Sequence, residues 1–225
     1  TPEPQRLAVS EVTMDMAENM EAAVRRSFPK AKIVTDRFHV QQLVSDAVQE
    51  MRIELKRAVT KEENEAIKKA RAEGTEYHPA VFENGDTKKQ LLARSRYLLF
   101  KPQGQWNDQQ STRSVILFRE YPILKVAYDL SMMFRGCYEH SHSITEARER
   151  LNAWYRKVDE KKLDAFMVPM ESIRLHETTI LNYFVRRSTN ASAESFNAKL
   201  KNFRTVVRGV SDKKFHLFRV AKLYG

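Results

Sequence analysis

The chain has 225 residues, 42% of them hydrophobic and 30% charged, which is enough apolar material for a folded core in one or two domains. The formal net charge of +10 favours a polyanionic partner such as nucleic acid, although many basic proteins bind none. The single cysteine, Cys137, excludes an internal disulfide and a cysteine-based zinc site, which fits a reducing cytoplasm, and no apolar stretch is long enough to span a bilayer.

The first predicted unit is a strand, a helix and a second strand. Residues Ser10 to Met14 and Lys32 to Thr35 are short and rich in β-branched residues, which is typical of strands. Between them, four apolar residues recur at four-residue steps and share one helical face: Met16, Met20, Val24 and Phe28. Such a unit favours parallel strands, and one helix covers only one face of a larger sheet. Because the strand begins abruptly, we expect a fragment of a longer protein with further strands upstream.

After Asp36 the predicted structure is nearly all helical. An apolar stripe follows first: Phe38, Leu43, Ala47, Met51 and Leu55. The charged run 61–73 is interpreted as a solvated helix face, and turns are expected around Gly74, Asn84-Gly85 and Gly104. Helical periodicity then covers Thr112–Tyr121, Ile123–Tyr138, Ile144–Val158, Met170–Phe184, Asn190–Phe203 and Lys213–Leu223, with a turn at Gly209 before the last helix. We expect the aromatic residues Trp106, Trp154, Tyr183 and Phe184 to be core residues more often than base contacts.

Both predicted strands end in an acid. Asp15 follows the first strand, and Asp36 follows the second, three residues before His39. Parallel α/β sheets place their sites at the carboxyl ends of strands, so the two acids can converge. Each acid has a structural alternative, because aspartate is a common helix N-cap. His39 is as easily a buried structural histidine as a group that holds a carboxylate or a phosphate.

A third acid, Glu194, lies near the start of a predicted amphipathic helix and shares a face with Asn197 and Lys201. The helix dipole alone stabilises a carboxylate at this position, which is its structural alternative. The surrounding bases suit contacts to phosphate groups: Arg186, Arg187, Lys199, Lys201 and Arg204.

Two segments together resemble one family. VTMDM with FPKAKIVTDRFHV near one end, and STNASAESFNAKLKNFRTVVRGVSDKKFHLFRV at the other, are similar to the transposases of the ISL-three group of bacterial insertion sequences. The resemblance implies a DDE catalytic domain with a ribonuclease-H-like core. It makes Asp15 the second acid of the triad and Glu194 the third. Asp36 and His39 match the Asp/Cys-x-x-His element of related transposases, so these two and Asn197 are expected to support the site.

The family's first acid lies on the first strand of the fold, and nothing before Asp15 supplies it, since Glu3 and Glu11 stand in the wrong context. Carboxylates bind Mg²⁺ or Mn²⁺ and leave places for water and phosphate. Two ions about 4 Å apart would activate the attacking oxygen and stabilise the leaving one. Because three carboxylates are needed to hold the pair, we expect these residues alone to bind metal weakly and to be inactive.

The predicted fold is α/β but mostly α, an incomplete ribonuclease-H-like core of short parallel strands with a long helical insertion. We expect core residues at 1–44, the insertion at 45–185 and C-terminal core helices at 186–225. The expected function is metal-dependent DNA cleavage and strand transfer at insertion-sequence ends, in the bacterial cytoplasm with the nucleoid. DNA is the expected partner, bound by a homo-oligomer, with no membrane association. The alternatives are a non-catalytic helical module for DNA binding or oligomerisation, and a nuclease or resolvase of the same fold.

Overall fold

A computed structural model describes residues 2–189, 191–206 and 212–224 of the chain. The chain forms two compact units, Thr1–Arg187 and Ser188–Gly225. The first unit contains a small parallel sheet and most of the helices, and the second contains two helices. The mostly helical α/β fold class predicted from the sequence is confirmed.

The strand-helix-strand unit forms as predicted, after a short helix that was not predicted. Helix α1 spans Glu3–Leu7, strand β1 spans Glu11–Met14, helix α2 spans Glu18–Ser27 and strand β2 spans Lys32–Thr35. The strands are parallel, and their register pairs Glu11 with Lys32 and Met14 with Thr35. Parallel pairing is what a helical crossover between neighbouring strands requires.

Helix α2 is shorter and more exposed than its apolar periodicity predicted. Met16 precedes the helix and Phe28 is its C-cap residue, so only two of the four predicted residues lie inside it. Met20 remains 51% exposed. The helix packs mainly against β1, and the two-stranded sheet of the described structure offers too little surface to cover its apolar side.

The helical region is organised around one long helix. Helix α3 spans Arg37–Ala72, and it runs without interruption across the domain boundary that we predicted after residue 44. Five helices follow it: α4 spans Lys88–Arg94, α5 spans Asp108–Glu120, α6 spans Pro122–His140, α7 spans Ile144–Lys161 and α8 spans Asp164–Leu175. The core side chains of α3 pack mainly against α6, α8 and α4. The interpretation of residues 45–185 as an insertion stays a prediction.

The loops of the helical region follow the turn signals in the sequence. Gly74 and Gly85 both adopt left-handed backbone, with φ of 69° and 78°, where a β-carbon would be strained. Thr87 and Asn107 each begin a helix with a reciprocal capping box, so α4 and α5 start at residues that satisfy their first amides.

The single helix predicted over Met170–Phe184 is wrong. The chain divides there into α8, α9 (Glu177–Leu181) and α10 (Tyr183–Arg186). His176 leaves helical geometry with φ of −100° and ψ of 12°, and its Nδ1 lies 2.9 Å from the Ser172 carbonyl oxygen. Helical periodicity continues through this break because both short helices bury apolar residues against the same core, including Ile180 and Phe184.

The aromatic residues lie in the core, as predicted. Trp154 is fully buried, its Nε1 donates to the Leu130 carbonyl at 2.9 Å, and its ring lies 4.9 Å from that of Phe134. Tyr183 and Phe184 are also buried. Trp106 is half-buried and donates to the Leu98 carbonyl at 2.8 Å.

The second unit consists of α11 (Ala191–Val206) and α12 (Lys213–Tyr224). The Arg219 guanidinium lies over the Phe203 ring at 5.4 Å and over the Phe215 ring at 5.9 Å, so the two helices are in contact. The turn predicted around Gly209 lies outside the described residues. Within the described ranges, no helix is long and apolar enough to cross a membrane.

Candidate active site at the carboxyl edge of the sheet

Asp15 and Asp36 occupy equivalent positions at the ends of neighbouring strands. Met14 pairs with Thr35 in the register, and the Asp36 amide donates to the Met14 carbonyl at 2.7 Å. The two acids therefore follow the last pair of the ladder at the same edge of the sheet. This placement was predicted from the parallel strand-helix-strand pattern.

The two acids differ in their surroundings. Asp15 is exposed, and its Oδ1 accepts a hydrogen bond from the Ala17 amide at 3.1 Å. Asp36 is fully buried, and its Oδ1 accepts from the Phe38 amide at 2.7 Å as the N-cap of α3. The N-cap role considered for Asp36 is thus confirmed, whereas Asp15 only shapes the turn before α2, whose N-cap is Ala17. Asp15 is the acid that solvent and a ligand can reach.

Arg37, Tyr183 and Tyr138 form a group of contacting side chains near the N-terminal end of α3. The Arg37 Nη1 donates to the Tyr183 hydroxyl at 3.1 Å, and its guanidinium lies 4.8 Å from the Phe38 ring centroid. The Tyr138 ring lies edge-on to that of Tyr183 at 5.3 Å. Burial raises the pKa of Tyr138 far above its usual value, and the negative charge of Asp36 contributes to the same shift. No sequence pattern pointed to this group, although Arg37 directly follows Asp36.

Cys137 is a free, buried cysteine on α6. Burial raises the pKa of its thiol to about 12, so it stays protonated at neutral pH and behaves as a small apolar residue.

His39 lies on the first turn of α3 and is exposed. The alternative of a buried structural histidine is therefore wrong. Its position three residues after Asp36, on the same side of the sheet edge, is compatible with a supporting role.

Helix α9 and the residue that follows it, Asn182, cover the outer edge of β2. The Lys32 amide donates to the Ser10 carbonyl just before β1 and the Asp36 amide to the Met14 carbonyl at its end, so the Ile33 carbonyl faces away from β1. The Asn182 Nδ2 donates to that carbonyl at 2.8 Å, and the Thr179 and Thr35 hydroxyls lie 2.7 Å apart. This edge is closed by side chains that no sequence period predicted.

The outer edge of β1 has no partner strand within the described structure, where the sheet contains only β1 and β2. The ladder alternates, so the backbone groups of Glu11 and Thr13 face this edge. An additional strand can therefore join the sheet beside β1, at the side of Asp15.

The two adjacent arginines predicted to bind DNA also hold unit 1 together. The Arg186 Nη1 donates to the Ser10 hydroxyl at 3.1 Å, immediately before β1. Arg187 has left-handed backbone with φ of 56°, and its Nη2 donates to the Ser141 carbonyl. Both side chains remain exposed, so these contacts are compatible with an additional ligand.

In the second unit, α11 carries the remaining predicted residues. Lys199, Lys201 and Arg204 are exposed. Glu194 lies in the first turns of α11 and Asn197 one turn later, but the side chains of both lie outside the described part of the structure. Among the side chains that the structure does describe, no three acids, histidines or cysteines form a metal-binding group.

A family model described as "Transposase", the DDE family of the ISL-three group, matches residues 1–220. The chain belongs to this transposase family. No curated protein matches the chain, and no solved structure does. The family makes the protein a DNA-transposing enzyme, and DDE transposases generally use divalent metal ions.

The ISL-three transposase has a polar cleft elsewhere in unit 1, of about 660 Å³, lined by Asn84, Asp86, Arg94, Asp108, Gln109, Thr112 and Arg113. It includes neither Asp15 nor Asp36. The cleft is therefore separate from the candidate site at the sheet edge.

Proposed function

We propose that this chain is the catalytic region of a bacterial insertion-sequence transposase, with Asp15 and Glu194 as the second and third acids of a DDE triad. The enzyme would cleave DNA at the ends of the element and transfer the strand to a target. The observation that carries the proposal is the exposed Asp15 carboxylate at the carboxyl end of β1, beside the equivalent end of β2, in a chain matched by the family over residues 1–220.

The chemistry of the acids fits a hard divalent cation. One Asp15 oxygen accepts a backbone amide, and the exposed carboxylate retains further lone pairs for an ion such as Mg²⁺ or Mn²⁺. Asp36 is enclosed and already accepts the Phe38 amide, so we assign it to fixing the start of α3. When bound, the metal supplies activation of the attacking oxygen and stabilisation of the leaving oxygen.

The remaining predicted residues would position DNA. Lys199, Lys201 and Arg204 are exposed on α11 and suit phosphate groups. Arg186 and Arg187 would join them from unit 1 while keeping their contacts to Ser10 and Ser141. His39 and Asn197 would support the acids. We further propose that the protein acts in the cytoplasm with the nucleoid, as a homo-oligomer that holds two DNA ends.

The first acid of the triad would come from a strand beside the outer edge of β1, where Glu11 and Thr13 offer backbone partners. Since residues 1–225 supply only two acids of the triad, we propose that they bind metal weakly and do not cut DNA alone. A longer chain whose added strand carries an aspartate should be active, and substitution of that aspartate should abolish strand transfer.

Binding of Mn²⁺ tests the site directly. In NMR spectra of the full chain, millimolar Mn²⁺ should broaden the amide signals around Asp15, and Asp15→Asn should remove the broadening. Asp46→Asn is the matched control, because Asp46 is an exposed acid on α3 away from the sheet edge. Equal broadening in wild type and Asp15→Asn would favour the alternative of a non-catalytic DNA-binding module, and an assay that detects cleavage without strand joining would favour a nuclease.

A further inference from the structure

Arg52 is a buried arginine on α3 without an acidic partner in the described ranges of the chain. Only 6% of its surface is exposed. Its Nε donates to the Gln49 side chain at 2.8 Å and its Nη1 to the Leu92 carbonyl at 3.0 Å. Burial lowers the pKa of Arg52, and the like charge of Arg96 lowers it further. A buried guanidinium beside a second cation is unfavourable in the protein alone and becomes favourable when an anion joins them.

Arg96 lies at the surface of the same region, beside an exposed aromatic ring. Its guanidinium is 5.6 Å from the Tyr97 ring centroid, and Tyr97 is 66% exposed. The Gln49 Nε2 donates to the Arg96 carbonyl at 3.1 Å, so the backbone of this segment is fixed to α3. An arginine with an exposed aromatic neighbour combines a phosphate ligand with a surface that packs on sugars and bases.

The sequence around this pair is depleted of acids. Residues 87–107 contain five lysines and arginines and no aspartate or glutamate. Lys89 forms an ion pair with Glu63 at 2.7 Å, and Arg94 pairs with Asp86. The other three bases, Lys88, Arg96 and Lys101, form no ion pair with any residue that the structure describes. This leaves a positive field on the surface around Arg96.

The position of Arg52 has a structural explanation at the C-terminal end of α4. Leu92 lies in the last turn of α4, where carbonyl groups lack partners, and a cation there is favourable. This role accounts for Arg52, but it does not require the exposed Arg96 and Tyr97.

We propose that Arg96 and Tyr97, backed by Arg52, form a second DNA-backbone contact of this transposase, separate from the bases of α11. Arg96 binds a phosphate group, and Tyr97 packs against the adjoining sugar. The proposal rests on the proposed function only in that the polyanion is DNA; it needs neither the metal nor the acidic triad.

The test is binding of the full chain to a fluorescent DNA duplex, measured by anisotropy from 50 to 300 mM salt. Loss of one phosphate contact should weaken binding about five- to tenfold near 0.1 M salt and reduce the slope of log K against log salt by about one. We expect this result for Arg96→Ala. Tyr97→Ala should weaken binding with little change in slope, and Tyr97→Phe should bind as wild type does.

Arg119→Ala is the charge-matched control, because Arg119 is half-exposed and already bonded to Glu83 at 2.7 Å and to Glu120 at 3.1 Å. Equal weakening by Arg96→Ala and Arg119→Ala, or none by Arg96→Ala, would overturn the proposal. Circular-dichroism melting should show that both variants remain folded. Arg96→Ala should keep the Mn²⁺-induced broadening around Asp15, so a failed active site and a failed DNA surface give different results. Absence of duplex binding by the wild-type chain would overturn both proposals.

Discussion

At the scale of single residues, the two acids at the sheet edge perform different tasks. Asp15 is exposed in a turn, whereas Asp36 is buried and caps α3. The Asp36 carboxylate stabilises the first turn of α3 and also fixes the backbone that carries Arg37 and His39. The stability of this helix end and the geometry of the site therefore depend on the same side chain.

Two substitutions of Asp36 distinguish the contribution of its N-cap hydrogen bond to stability from the contribution of its negative charge. Asp36→Ala removes the acceptor of the Phe38 amide and should lower the free energy of unfolding by about 1 to 2 kcal/mol. Asp36→Asn retains an oxygen acceptor of the same shape and should cost less. Urea denaturation followed by tryptophan fluorescence measures both. An equal loss in the two variants would show that the charge, and not the cap, stabilises this position.

Asp86 is a second buried acid, and its role is structural. Arg113 Nε donates to its Oδ2 at 2.8 Å, Asn84 Nδ2 donates to the same oxygen at 2.9 Å, and Arg94 pairs with its Oδ1. Burial by itself would raise the pKa of Asp86, but the hydrogen bonds from Arg113 and Arg94 outweigh it and hold the pKa below its usual value. The turn at Gly85 is thereby fixed to α4 and α5.

Removal of the negative charge of Asp86 should lower the stability of the folded protein at neutral pH. Asp86→Asn leaves two arginines without their carboxylate and should lower the free energy of unfolding by about 3 kcal/mol or more. Because the folded-state pKa is depressed, the stabilisation is present above the unfolded-state value of about 4 and is lost as the pH falls through the lower folded value. Denaturation curves at pH 7, 5 and 3 should show a constant difference between wild type and variant down to pH 5, and a smaller one at pH 3.

At the scale of elements, the segment after the break at His176 supports the sheet. Helix α9 packs against β2, where Thr179 contacts Thr35 and Asn182, directly after the helix, donates to the Ile33 carbonyl. Because α8 ends at Leu175 and α9 begins at Glu177, the residues that contact β2 belong to a separate short helix and its C-terminal end.

Loss of the Asn182 contact should weaken this edge. Asn182→Ala leaves the Ile33 carbonyl without its donor and should cost about 1 to 2 kcal/mol. Hydrogen exchange should accelerate at the Lys32 and Asp36 amides, which pair β2 with β1. Thr178→Ala, an exposed change on α9, is the control and should leave exchange unaltered. Unchanged exchange in Asn182→Ala would mean that β2 needs no support at this edge.

At the scale of the whole molecule, the hydrophobic core and the excess positive charge lie mainly in different units. Among the residues that the structure describes, the main core cluster extends from Val34 to Phe184 and lies within unit 1. Residues 188–225 contain eight lysines and arginines against two acids, which supplies +6 of the net charge of +10. Unit 1 therefore holds the main hydrophobic core, and the second unit holds most of the excess positive charge.

Truncation after Arg187 tests this division. The shortened chain should unfold cooperatively with a free energy within about 1 kcal/mol of the full chain, because Trp106 and Trp154 and the core around them are retained. Its affinity for a DNA duplex should fall by at least tenfold near 0.1 M salt, since several phosphate contacts are lost. Urea denaturation and anisotropy measure the two effects. A truncated chain that fails to fold would show that the second unit stabilises the first.

The sequence by itself determined the local elements and the family. The β-branched residues in Ser10–Met14 and Lys32–Thr35, the glycine turns and the helical periods fix short-range structure, because backbone preference and the side-chain period act between near neighbours. The two acids at strand ends followed from the same pattern, and the ISL-three resemblance was confirmed by the family match over residues 1–220.

Only the tertiary structure decided which residues these elements meet. The division of Met170–Phe184, the burial of Asp36 against exposed Asp15, and the pairing of Arg186 with Ser10 all depend on contacts between residues remote in the chain. Periodicity identifies the apolar face of a helix but not the element that packs against it. The sequence also does not show whether a polar side chain hydrogen-bonds to a neighbouring strand or to water. The structural roles of Arg52 and Asn182 therefore became visible only in the folded chain.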